Sequence, residues 1–101
     1  MADAEFTWVV PVDHPAFAGH FPGQPIVPGV VLLDRAMLFG EMLLGKKVAS
    51  WQVGNAKFLS PVLPGEVLTY VLQTKASGSV TFVARAAGRD VASGSLTPPA
   101  V

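Results

Sequence analysis

Between Pro28 and Gly45 the chain reads GVVLLDRAMLFGEMLL, apolar on nearly every side. A proline at the start has no N–H to leave unpaired. A glycine stop followed by Lys46 and Lys47 suits the negative end of a helix. The segment therefore predicts one helix over Gly29 to Leu44. A helix without a polar face has to be buried on most sides, and this requirement constrains the fold more than any other feature.

The cover must come from strands. Phe6, Trp8 and Val10 alternate with Glu5, Thr7 and Val9, which predicts a first strand stopping at Val10. Pro11 to Pro28 has no periodicity and reads as an irregular but stiff loop. From Val48 onward the pattern switches to strands: Val48 to Phe58, Val67 to Lys75, Val80 to Ala87 and Val91 to Leu96. Pro61 with Pro64-Gly65, then Ser77-Gly78, then Gly88-Arg89-Asp90 punctuate them as turns. The tail LTPPAV is expected to fray, since Pro98 and Pro99 cannot continue a strand. The expected fold is α+β: an antiparallel sheet wrapped around one greasy helix, in a single domain over residues 1–101.

Half of the 101 residues are hydrophobic and only 14% are charged, against about 25% charged in typical soluble domains. A small domain cannot hide that much apolar surface, so the surplus points to a subunit interface or a ligand tunnel, the interface being favoured. A formal net charge of zero provides no basic stripe and argues against nucleic acid. With no cysteine there are no disulfides or thiolate metal sites, and no ligand cluster implies a metal or organic cofactor. MADAEFTWVV has acids where a signal peptide needs bases. Val30 to Leu44, interrupted by Asp34, Arg35 and Glu41, falls short of the roughly twenty apolar residues of a membrane span. A soluble cytoplasmic protein is the simplest reading.

The chemistry is concentrated in GHFPGQPIVPGVVLLD, Gly19 to Asp34. Pro22, Pro25 and Pro28 with Gly19, Gly23 and Gly29 fix the backbone path around His20. Asp34 stands in an apolar helix, where a carboxylate is desolvated unless something pairs with it. An imidazole and a partly buried acid make a general-base and general-acid pair. Asp34 lies past the capping positions, so a merely dipole-stabilised acid is the weaker explanation. His14 reads as a brace for its loop, Arg35 as a surface group or ion-pair partner at a subunit boundary, and Trp8 and Trp51 as ordinary strand aromatics. Lys46 and Lys47 read as a solvated helix end that could also meet an acidic partner.

Two segments, HPAFAGHFPGQPIVPGVVLLDRAM (His14 to Met37) and NAKFLSPVLPGEVL (Asn55 to Leu68), resemble the hot-dog-fold β-hydroxyacyl-acyl-carrier-protein dehydratases. The resemblance implies a hot-dog dimer in which His20 of one subunit is catalytic with Asp34 of the other. It places the thioester carbonyl on the backbone N–H groups of Gly29 and Val30. The family divides between glutamate and aspartate at the acid, and aspartate resembles the branch that also isomerises the enoyl product. Leu38 stands where family members usually have glutamine, and Arg35 where a small residue is common. The short chain resembles the small dehydratases of polyketide-like or aryl-polyene pathways, where one subunit of a heterodimer can be inactive.

On this reading the substrate is a 3-hydroxyacyl chain carried by acyl carrier protein, and no cofactor is needed. Phe21, Val27, Leu33, Met37 and Phe58 are the expected lining of an acyl tunnel along the helix. Two alternatives stand beside it. One is a hot-dog thioesterase, in which the helix acid activates water or attacks the thioester. The other is a structural subunit that binds an acyl chain or completes a partner's site.

Overall fold

The computed structural model describes residues 3–13 and 26–99. The elements run β1 (Asp3–Val9), α1 (Gly29–Leu44), β2 (Gln52–Phe58), β3 (Val67–Thr74), β4 (Val80–Ala86) and β5 (Arg89–Thr97). All strands pair antiparallel in the order β1-β3-β4-β5-β2, which leaves β1 and β2 as the edges.

Registry puts one apolar set on one face. Phe6 pairs with Tyr70, Tyr70 with Ala84, and Ala84 with Ala92; Leu72 pairs with Phe82 and Val80 with Leu96. Side chains of a strand alternate between faces, so these residues lie together, and α1 packs on them through Leu32, Ala36, Phe39 and Gly40. An aromatic chain ties the helix to the sheet. Phe6 stacks on Phe39 at 4.6 Å between centroids, and Phe39 meets Tyr70 edge-on at 5.2 Å. Such pairs add roughly 0.5–1.5 kcal/mol beyond area burial. The hydroxyl of Tyr70 donates to the Leu32 carbonyl at 3.0 Å.

The helix bounds are those expected. Pro28 is the N-cap residue, and Gly45 closes the helix at φ 70 with its N–H on the Glu41 carbonyl at 2.8 Å. Several strand limits differ. β2 begins at Gln52 rather than Val48, because Glu41 Oε2 accepts the Val48 N–H at 2.8 Å and holds that residue against the helix end. β5 starts at Arg89, inside the expected turn. Ala87 (φ 51) and Gly88 (φ 79) make the turn alone, a two-residue hairpin connection with both central residues left-handed. Arg89 and Asp90 are thereby free to pair with Ala86 and Arg85. Leu96 and Thr97 also belong to β5, so only the prolines beyond them stop the strand.

The largest departure concerns the helix surface. One sheet covers one side of α1, and Val30, Asp34, Leu38 and Met42, spaced four apart, form a stripe on the other. All four are exposed, Val30 at 61% and Met42 at 57%. The helix is apolar all round yet buried on one side by its own chain. Phe58, Leu59, Leu63 and Val67 are exposed as well, and this is where the surplus of apolar residues goes. Among the described residues no helix is long and apolar enough to cross a membrane.

Candidate active site

Two hollows flank α1, and they share no lining residue among those described. The first, of about 290 Å³, lies at the helix start between Ile26, Val27, Gly29, Leu32 and the Phe58–Pro61 segment. The first N–H groups of a helix have no partner within it, and the N-cap Pro28 makes no side-chain cap. A Cβ on Gly29 would come within 2.9–3.1 Å of three Phe58 ring atoms, so a larger residue here would push the half-exposed ring aside. The ring of Phe58 therefore roofs the backbone at the helix start, where the positive end of the dipole favours developing negative charge. The N–H of Val27 donates to the Val62 carbonyl at 2.8 Å and the N–H of Leu59 to the Val91 carbonyl at 2.9 Å, which fixes both walls.

The second hollow, of about 210 Å³, is lined by Trp8, Val31, Asp34, Arg35 and Leu38. Asp34 is exposed rather than partly buried, because it lies in the stripe that the sheet does not reach. Among the described residues no hydrogen bond or ion pair engages its carboxylate. Among the described residues Arg35 forms no ion pair, and it is partly buried. Its guanidinium lies over the Trp8 ring at 4.4 Å and 5.8 Å from Phe39, which makes Trp8 the floor of this hollow.

Of the residues expected from sequence, the first hollow gathers Val27, Gly29 and Phe58. Val30 sits beside it on the bare stripe. Leu33 and Met37 pack against the core instead of lining either hollow. His20, His14 and Phe21 lie outside the described residues.

A model of the ApeI-like dehydratases matches residues 1–95. The chain belongs to that family. Among curated relatives, the 3-hydroxyacyl-acyl-carrier-protein dehydratase FabZ of Chlamydia trachomatis serovar L2 is 45% identical over 59% of this chain and 45% of its own length. That of Aliarcobacter butzleri is 34% identical over 90% of this chain and 69% of its own. The chain spans about half the length of the Chlamydia and Caulobacter relatives it matches. Among solved structures, the dehydratase heterocomplex ApeI:P from Xenorhabdus doucetiae superposes with a TM-score of 0.80 at 25% identity, over 94% of this chain and 85% of that one. An (R)-hydratase from A. caviae, at 15% identity and a TM-score of 0.58, shares the fold alone. The architecture is thus the hot-dog fold that the two sequence segments suggested.

Sequence reasoning missed Ile26, Leu32, Leu59, Ser60 and Pro61 as walls of the first hollow, and Trp8, Val31, Arg35 and Leu38 in the second. From the segment NAKFLSPVLPGEVL, which carried part of the family resemblance, only Phe58 was expected in the lining. Nothing in the spacing of Trp8 and Arg35 announces that a strand and a helix bring them together.

Proposed function

We propose that this ApeI-like family member dehydrates a 3-hydroxyacyl thioester, carried by acyl carrier protein, to the trans-2-enoyl thioester. The observation that carries the proposal is the placement of Asp34, unpaired among the described residues, in a hollow on the bare face of α1. The substrate carbonyl docks on the N–H groups of Gly29 and Val30, beneath Phe58. His20 takes the C2 proton; the C2–H electrons form the double bond as the C3–O bond breaks. Asp34 protonates the departing oxygen, which leaves as water. A carboxyl donates only while protonated, and removal from water favours that state. Loss of one oxyanion donor in such sites costs roughly 2.7–4 kcal/mol of barrier.

The exposed position of Asp34 supports a second hot-dog subunit as its cover, His20 of one protomer working with Asp34 of the other. That subunit is either a second copy or a distinct relative, the latter favoured by the heterocomplex among the structural neighbours. The same reading places the protein in the cytoplasm with its carrier.

The test is mass spectrometry of the carrier-bound product. The wild type should release one water, whereas His20→Ala and Asp34→Asn should not while keeping the same circular dichroism. Mixing the two inactive variants should restore about a quarter of wild-type activity if a homodimer shares each site across its interface, since half the dimers are mixed and each holds one intact site. Free thiol without enoyl product would establish a thioesterase instead. Full turnover by either variant would remove the mechanism.

A further inference from the structure

Arg89, the first residue of β5, is held by more groups than an ordinary surface cation. Its Nε donates to Ser60 Oγ at 3.0 Å and its Nη1 to the Ala86 carbonyl at 3.2 Å. Its Nη2 donates to the Pro61 carbonyl at 3.0 Å and to the Glu66 carboxylate at 3.0 and 3.1 Å. Glu66 is occupied in turn, its Oε2 accepting the Leu63 N–H at 2.9 Å. The Leu63 N–H and the guanidinium, in that order, hold the Glu66 carboxyl below its ordinary range, against a burial that raises it.

One planar fork thus spans the β4–β5 turn and both ends of the loop between β2 and β3. An isolated exposed ion pair contributes little, but a guanidinium with several fixed acceptors defines a geometry that an ammonium cannot copy. Ser60 and Pro61, two of its acceptors, are wall residues of the hollow at the start of α1. The same loop is fixed at Leu59 by β5 and at Val62 by Val27. Between those anchors, Arg89 supplies side-chain contacts to the wall itself.

We infer that Arg89 is a positioning residue that sets, through Ser60 and Pro61, the shape of the hollow at the start of α1 and with it the fit of the acyl thioester docked there. It touches no reacting atom. The inference rests on the dehydratase reading, and it concerns how the acyl group fits rather than how the proton moves. Arg89→Lys keeps a cation beside Glu66 but loses the fork. Arg89→Ala loses both, and Ser60→Ala removes one wall contact while leaving the Arg89–Glu66 pair intact.

Steady-state dehydration should be measured over a ladder of 3-hydroxyacyl chain lengths, together with hydrogen exchange of the Leu59–Glu66 amides. KM should rise about five- to tenfold in Arg89→Ala, most for the best wild-type substrate, with kcat within about twofold. Arg89→Lys should fall between Arg89→Ala and the wild type, and the loop amides should exchange faster in the order Ala, Lys, wild type. An unchanged KM profile, or a fall in kcat with KM constant, overturns the inference. If the Arg89 variants do not fold, Ser60→Ala decides, with a raised KM at constant kcat supporting the role and an unchanged KM refuting it. A wild type that dehydrates no 3-hydroxyacyl substrate refutes the parent reading instead, and the role of Arg89 falls with it.

Discussion

Replacing Tyr70 with phenylalanine isolates one buried hydroxyl. Tyr70 is fully buried, and its O–H donates to the Leu32 carbonyl at 3.0 Å. That carbonyl also accepts from the helix N–H four residues on, so removing the hydroxyl orphans nothing. The loss should be that of one net hydrogen bond, about 1 kcal/mol near neutral pH. Burial also raises the phenol well above its ordinary value of 10.0, with the Arg35 charge opposing weakly. The unfolded chain then ionises first as pH rises, binds fewer protons than the native state, and stability falls. For one such group the fall is about 0.4 kcal/mol at pH 10 and about 1.4 kcal/mol at pH 11. The variant has no such group, and the other titrations are common to both proteins. The variant should start about 1 kcal/mol less stable and draw level with the wild type between about pH 10.5 and 11. Urea titrations at equal protomer concentration measure the difference, since any dimer makes stability concentration-dependent. Tyr70 is the only tyrosine, so tyrosinate absorbance in the wild type should appear only with unfolding. Tyrosinate forming in folded protein near pH 10, or a stability gap that stays constant with pH, would refute the reasoning.

Three substitutions probe the backbone in the same urea assay. Gly94→Ala should cost about 1–3 kcal/mol, because its Cβ would sit 2.9 Å from the buried Phe82 ring and 3.3 Å from the Ala56 Cα in the adjacent strand. Ala87→Asn should stabilise by about 1 kcal/mol, since Ala87 holds a left-handed φ of 51 that asparagine tolerates better. A urea midpoint that does not rise would contradict that turn assignment. Gly40→Ala brings a Cβ to 3.1 Å from the Trp51 ring. Trp51 is partly buried on a segment outside the sheet and can yield, so the helix gain of about 1 kcal/mol should roughly offset the contact. Tryptophan emission should shift while the urea midpoint stays nearly constant.

Where local chemistry decided a boundary, the sequence was enough. Pro28 and Gly45 bracket α1, and the alternating apolar residues of β3 and β4 announce themselves. Limits set by distant groups were not legible. Glu41 captures the Val48 amide seven residues away, and the two-residue Ala87-Gly88 turn releases Arg89 and Asp90 to pair across the hairpin. The clamp made by Arg89 uses two backbone carbonyls among its acceptors, and a carbonyl has no identity in a sequence.

Asp34 shows what kind of information is missing. Its apolar neighbours in the chain predict desolvation, yet in the single chain it faces outward beside Val30, Leu38 and Met42. Hydrophobicity records the total burial a helix is built for, without dividing it between its own sheet and a neighbour. The sheet accounts for Leu32, Ala36, Phe39 and Gly40, Leu33 and Met37 pack against the same core, and the exposed Val30, Leu38 and Met42 share the stripe of the acid. On the proposed mechanism this division has a chemical consequence. An acid catalyst must retain its proton near neutral pH, and excluding water is the means of favouring it. The face of α1 that lacks cover is the face bearing the acid. A neighbour covering that stripe would bury Val30, Leu38 and Met42 and desolvate Asp34 in the same event, so assembly and activation become one step.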